Sequence, residues 1–420
     1  MRTPLYRLSL TLLATTTLVA CQREPTAPAR PANLAADASG FQRRIAVSPD
    51  HLVLRPGTSA QLSTQVFTNE GELLTNAQIS FTSADPQIAT VTGTGLVTAG
   101  TIGSTTVTVS SKGAADVPVP VSVSAVGHPA GTIAATLRTS SRLFGTAVSG
   151  TSIVYLTQPD PQLLQRIDLP TAAFSGTVSV GQQPTDVAFD AAGAFAYVTN
   201  QFDANVGVVA TSTNSVTGTI HVPFNPFRVI AGVDDHSAFV SGNQSLVAIV
   251  DRQTLTTTAT IPLPGLSNGL SLNSTRSKLY ASLLFNGAVV EFDAVTHTAL
   301  RTFTIPGAGT LQAVAISRND GELYVADEGA GQLWIIDLAS GTVSGSVALG
   351  GGGFEVKVSP DNVQLYVALS GSGVVRVIDR ATRTVVATIS TGGAPRRLAF
   401  TNDGATAVIA NEAGWVDIIH

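Results

Sequence analysis

The stretch LYVADEGAGQLWIIDLASGTV, residues 323–343, is two strands and a turn on one line. YVADE alternates in polarity, a glycine-rich turn follows, and LWIID alternates again. The same wording returns as LYVALSGSGVVRVIDRATRTV at 365–385 and as AYVTNQFDANVGVVATSTNSV at 196–216. Working outward from the tyrosine gives one anchor per copy: Tyr155, Tyr197, Phe239, Tyr280, Tyr324, Tyr366 and Val408, at steps of 42, 42, 41, 44, 42 and 42. The residue closing the next strand follows the same period: Asp168, Ala210, Asp251, Asp293, Asp337, Asp379 and His420. Within the unit that starts near 184, TDVAFD, FAYVTN, NVGVVAT and SVTGTIHV read as four successive strands. A repeat of about 42 residues with four short strands predicts a β-propeller blade, and seven anchors predict seven blades.

The last unit is one strand short. After RRLAFT, TAVIAN and WVDIIH the chain stops, whereas TIAATLRTSS at 132–141 resembles the absent TVVATISTGG of 384–393. Residues 132–138 are therefore expected to be the outer strand of the blade that ends at His420, closing the ring by a shared blade and removing the open sheet edges. Two wordings carry a family likeness. Tyr197-Val198-Thr199-Asn200 spells YVTN, and residues 356–393 give the full unit. Residues 131–420 resemble the YVTN-type seven-bladed propellers. The WD40 signature is absent, and two Trp do not supply the one per blade of quinone-binding propellers.

Composition agrees with an all-β chain. Of 420 residues 44% are hydrophobic and only 12% charged, with 39 Gly and 21 Pro, and the formal charge is −5. No long basic run is present, so no nucleic-acid partner is expected. The first twenty residues read as an export leader: Arg2 and Arg7 precede the apolar LSLTLLATTTLVA, a run too short for a membrane helix. Leu18-Val19-Ala20-Cys21 resembles the bacterial lipobox, which implies lipidation of Cys21, the single cysteine, and a membrane partner through that lipid. Without a second cysteine no intrachain disulfide forms. By the same resemblance, Gln22 implies an outer-membrane destination in a Gram-negative host. Residues 21–40 are rich in Pro and Ala and read as a tether.

Residues 41–126 hold short alternating runs with turn signals every eight to twelve residues, the pattern of a sandwich. SADPQIATVTGTGLVTAGTIGSTTVTVSS at 83–111, preceded by LRPGTSAQLSTQV, is similar to the bacterial Ig-like group 2 domain, with Phe81 where that family often has Trp. That resemblance implies a spacer or an adhesive module. The expected architecture is a leader (1–20), a tether (21–40), an Ig-like β-sandwich (41–126) and a seven-bladed β-propeller (127–420).

Chemistry is harder to read. The Asp ending each third strand precedes turns such as DLASGT and is expected to pin backbone amides. SRNDGE, SPDNVQ, TNDGAT and GVDDHS join first and second strands as hairpins and lack the spacing of a calcium loop. No two of the six His stand at metal-ligand spacing, and no G-x-S-x-G occurs. No catalytic residue, metal or cofactor is assigned. Candidate ligand residues come from topology, at the axial mouth where the loops entering strand one meet those between strands two and three. Eleven residues before each anchor stand Phe144, Asp186, Arg228, Gly269, Ala313, Glu355 and Arg397, a position where the repeat breaks. Asn268, Gln312 and Arg396 adjoin it, Lys357 replaces a small residue, and Asn200, Asp327, Glu328 and Asn411 come from the other loops. Mixed Arg and carboxylate suit a protein, a glycan or a small anionic ligand. The reading leans away from an enzyme: a monomeric envelope protein with a binding or scaffolding propeller. A lactonase-type propeller hydrolase is the runner-up, and a surface-layer component is a further alternative.

Overall fold

The computed structural model describes residues 43–48, 52–54, 56–68, 72–124 and 127–420. The leader, Cys21 and the tether lie outside the described residues. Apart from one short 3-10 turn at Gln201–Asp203, the described regular structure is all strand.

Residues 43–123 form the Ig-like unit. Val117–Val123 and Gly103–Ser111 pair antiparallel at the centre of a four-stranded sheet, flanked by Leu52–Leu54 and Ile79–Ser83. Ser59–Gln61, Leu96–Ala99 and Ala89–Val91 make a second sheet. Val97, Val107, Val109, Val119 and Val121 of these strands, with Leu62 and with Val66 of the further strand Ser63–Thr68, bury one core, with Phe81 packed against it. Gly95 has φ +83°, and a Cβ there would stand 2.9 Å from the Phe81 ring, so the turn tolerates no side chain.

From residue 133 the chain makes seven four-stranded antiparallel sheets, each a blade. Their innermost strands are Thr146–Ser149, Pro184–Phe189, Pro226–Ala231, Ser267–Leu272, Leu311–Ile316, Glu355–Val358 and Pro395–Phe400, for blades 1 to 7. The second strands are buried on both faces, because each lies between neighbouring blades, so YVTN, YASL and YVAL are covered throughout and YVAD does not alternate between core and solvent as its wording led us to expect. Outer strands such as Thr342–Ala348 alternate exposed with covered residues. The anchor tyrosines are fully buried between blades, with burial pushing their phenols up, and Tyr155 donates to Asn214 of the next blade at 2.8 Å.

Blade 7 takes its fourth strand from the start of the domain. Ile133–Arg138 pairs antiparallel with Trp415–Ile419, from Ile133 opposite Ile419 to Arg138 opposite Trp415. The innermost strands of blades 1 and 7 also lie against each other. The segment ahead of this strand is bound to blades 6 and 7. His128 Nδ1 lies 2.6 Å from Asp361, Tyr366 donates to the Pro129 carbonyl at 3.0 Å, and the Gly127 amide donates to Asp403 at 2.8 Å.

Candidate functional site

The seven innermost strands converge on one axis, and a repeated irregularity decides what they carry there. In five blades the pairing of first and second strands slips by one residue, at Pro184/Asp186, Pro226/Arg228, Ser267/Gly269, Leu311/Ala313 and Pro395/Arg397. A bulge leaves one residue unpaired and re-aims its neighbours, so two consecutive side chains reach the axis. The equivalent positions are fixed by hydroxyls on the second strands. Thr157, Thr199 and Ser282 accept from the amides of Gly145, Asp186 and Gly269 at 2.7, 2.9 and 3.0 Å. Gly145, not Phe144, is therefore the counterpart of Asp186. Blade 1 has a hairpin one residue shorter, with Ala147 opposite Tyr155 where Ala188 stands opposite Tyr197. Phe144 instead joins Thr185, Phe227, Asn268, Gln312, Phe354 and Arg396 in the adjoining ring.

Five of the expected residues form one buried ionic layer. Arg228 of blade 3 reaches across the axis to Glu355 of blade 6 with both terminal nitrogens, at 2.6 and 2.9 Å. Arg397 of blade 7 gives Nη1 to the same carboxylate at 2.6 Å. Asp186 Oδ2 accepts from the Val229 amide at 3.1 Å and lies 3.6 Å from Arg228 Nε. Lys357 Nζ stands 3.5 Å from Glu355. The two guanidiniums are 3% and 2% exposed and the Glu355 side chain is fully buried. Burial pushes the Asp186 carboxyl above the usual carboxylate range, with Arg228 and the Val229 amide pulling the other way. Burial also holds the Lys357 ammonium below the ordinary lysine value; Glu355 opposes this depression and Arg228 deepens it.

On one side of this layer the channel is shut. Phe144 meets Phe227 and Phe354 edge to face, at centroid separations of 5.5 and 5.9 Å. These rings come from blades 1, 3 and 6, so they meet only across the axis. Arg397 lies over Phe227 and Phe354, and Arg396 over Phe144 and Phe354. Arg396 also pairs with Glu412 at 2.6 Å, and Glu412 with Arg142 at 3.2 Å. This is the mouth where the sequence led us to expect a ligand, and its side chains are engaged with one another. Asn268 donates to Gln312, and Gln312 to Glu328. Asn200 accepts from the Gly181 amide at 3.1 Å. Asp327 accepts from the amides of Gly309, Thr310 and Ala330 and from the Trp334 indole. Asn411 accepts from Ala394 and Ala413. The last three hold their loops in shape.

The cavity lies on the other side of the ionic layer. About 460 Å³ of space runs from Asp186, Arg228, Glu355, Lys357 and Arg397 down to the hairpins between first and second strands, where Gly150, Gly193, Arg276 and Asn402 surround it. A smaller cavity of about 340 Å³ adjoins it through Lys357, Ala399 and Asn402 and carries Arg318. Arg276 and Arg318 were not singled out from the sequence. Both occupy hairpins otherwise written with turn residues, and that departure was the available signal. Among the described residues no group of three or more His, Cys, Asp or Glu stands close enough to hold a metal ion, and no helix is long and apolar enough to cross a membrane.

Comparison with known proteins bears on each part of the chain. Residues 43–121 match the bacterial Ig-like domain (group 2). Among solved structures the chain is similar to hydrazine synthase of Kuenenia stuttgartiensis, with a TM-score of 0.63 at 20% identity, covering 70% of this chain and 99% of that one. At that identity the likeness concerns the fold alone. No curated protein matches the chain.

Proposed function

We propose that this chain is a lipid-anchored cell-envelope protein that displays its propeller on an Ig-like spacer as a non-enzymatic binding or scaffolding module. The observation that carries the reading is the axial cavity and the state of the carboxylate in its wall. Glu355 is held by two guanidiniums, with an ammonium beside them. That carboxylate is fully buried and both of its oxygens are taken by Arg228 and Arg397, so it fixes charges in place in the wall of the cavity. The bacterial Ig-like match and the lipobox-like Leu18-Val19-Ala20-Cys21 support an envelope setting, with YVTN-type wording in the repeats supporting the propeller as the displayed part.

Two experiments test this. A Cys21→Ala protein is expected to leave the membrane fraction, and unchanged partitioning would sink the anchor. The second concerns a rival reading, a lactonase-type hydrolase, which one observation favours: Asp186 lines the cavity with its carboxyl pushed up by burial, as a general acid or base would have. The full chain is expected to turn over no sugar lactone, with or without divalent metal. Turnover that disappears in Asp186→Asn would replace the binding reading with the enzymatic one.

A further inference from the structure

We infer that the axial cavity receives the oxyanion of a small organic ligand, a carboxylate or a phosphate, against Lys357 with Arg397 behind it and Arg276 at the opening. The inference rests on the binding-module reading and adds the ligand's chemical class. It begins with unspent donors. The Glu355 carboxylate already accepts three short bonds, two from Arg228 and one from Arg397. Nε and Nη2 of Arg397 and Nε of Arg228 are buried without an acceptor. Lys357 sits at 3.5 Å from Glu355, too far for a good hydrogen bond, and 39% of its side chain remains accessible where it lines the cavity. Arg276 spends one nitrogen on the Gly232 carbonyl at 3.0 Å. Arg318 lines the adjoining cavity as an exposed side chain, with the Asp361 carboxylate as its nearest charge partner.

The charges do not balance. Arg228, Arg397 and Lys357 face Asp186 and Glu355, so three positive groups meet two negative ones, and burial drives Asp186 toward its neutral form. At the opening Arg276 adds a cation and Asp190, 3.7 Å from Arg252, a carboxylate, so the lining as a whole holds four cations against three carboxylates. Buried uncompensated charge is costly, and an anion that brings several acceptors offsets it. Size agrees: about 460 Å³ lies within the roughly 300–1,000 Å³ of small-molecule sites. Access agrees as well, because the phenylalanine cluster shuts the far end and leaves the hairpin end open.

The test is calorimetric titration of the full chain at neutral pH with three probes: succinate, inorganic phosphate and neutral xylose. Saturable binding of succinate or phosphate is expected, and the preferred probe tells carboxylate from phosphate. Lys357→Met is expected to weaken that binding by roughly tenfold or more, since a charge-assisted bond is lost. Lys357→Arg is expected to keep it. Arg276→Gln, a change at the rim that leaves the ionic layer intact, is expected to weaken it severalfold and covers the case in which Lys357→Met fails to fold. Failure of both anions to bind overturns the inference, as does equal binding by wild type and a folded Lys357→Met, or, where Lys357→Met does not fold, equal binding by wild type and Arg276→Gln. Binding of xylose without either anion would do so while leaving the binding module standing. Lactone turnover lost in Asp186→Asn would instead overturn the module.

Discussion

Glu355 accepts from Arg228 and Arg397 and has Lys357 beside it, so one side chain ties blade 6 to blades 3 and 7. Removing its charge strands two buried guanidiniums and the half-buried Lys357 ammonium. Glu355→Gln is expected to lower unfolding free energy by roughly 3–5 kcal/mol, the usual cost of breaking a buried pair from one side, measured as a lower urea midpoint at unchanged slope. Lys357 adds a pH dependence with a definite sign. Its ammonium is held below the ordinary lysine value, so it loses charge at a lower pH than a free lysine. The charged groups around it are Glu355, Asp186, Asp190, Arg228, Arg397, Arg276 and Arg318, and any acid there that titrates loses its proton as pH rises, which opposes anion binding in the same direction. Affinity for succinate or phosphate is therefore expected to fall as pH climbs through the depressed lysine value. Lys357→Arg, charged throughout, is expected to flatten that profile, and a profile of unchanged shape would refute the assignment. At this scale the sequence was informative where a column broke its own rule. Asp186, Arg228, Glu355, Arg397 and Lys357 were legible because the neighbouring positions repeat. Phe144 was placed in the wrong ring because one residue is missing from the blade 1 hairpin, and a count from the tyrosine cannot see a register that Thr157 fixes through the Gly145 amide.

Strands and turns were the most legible elements, for a local reason. The aspartates that end third strands do pin turns: Asp337 takes the Ser340 amide at 2.6 Å, and Asp379 takes that of Thr382 at 2.7 Å. Such bonds lie within a few residues, so composition reports them. The side of the ring on which space remains depends on contacts between distant blades. Asn200, Asp327 and Asn411 looked like ligand groups at the loop mouth, yet the loop amides of their own blades engage them. The opposite hairpins looked like plain turns and surround the cavity. The segment at 127–131 was equally hidden, although His128 and Asp361 form a short contact between a linker and a blade. Burial raises Asp361, but bonds from His128 and Ser359 outweigh it and hold the carboxyl below the usual range. A depressed carboxyl contributes stability above its unfolded value, about 3.9, that is lost as pH falls through the folded one. Asp361→Asn is expected to cost about 1–3 kcal/mol near neutrality and to make the acid limb of stability against pH shallower. Urea midpoints across the acid range measure both, and parallel curves for mutant and wild type would contradict the assignment.

A propeller is a ring of blades that each bury two faces against neighbours, so the whole depends on the join. Here the join is Ile133–Arg138 against Trp415–Ile419. Leu137 packs against one cluster that joins Val408, Ala410 and Val416 of blade 7 to Leu143, Val154 and Ile167 of blade 1. The same segment carries the contacts from Gly127, His128 and Pro129 to blades 6 and 7. Without it, Trp415–Ile419 becomes an open edge with unpaired backbone groups, and the blade 7 core faces water. The axial site would suffer as well, since Arg397 belongs to that blade and shares Glu355 with Arg228. Deleting residues 127–140 from the full chain is therefore expected to abolish the cooperative melting transition of the propeller, followed by circular dichroism. A second chain separates the loss of a strand from the loss of a linker. If residues 127–141 are moved to follow His420, the strand can return to its place beside Trp415–Ile419 from the other end, now as the outer strand of a hairpin. That chain is expected to recover a cooperative transition, with a somewhat lower midpoint because the new loop carries closure entropy of its own. An unchanged melt after the deletion would show that the pairing contributes nothing to the ring. Failure of both the deleted and the transposed chain to fold would show that the segment acts through its linker contacts in their native place and not through its strand alone.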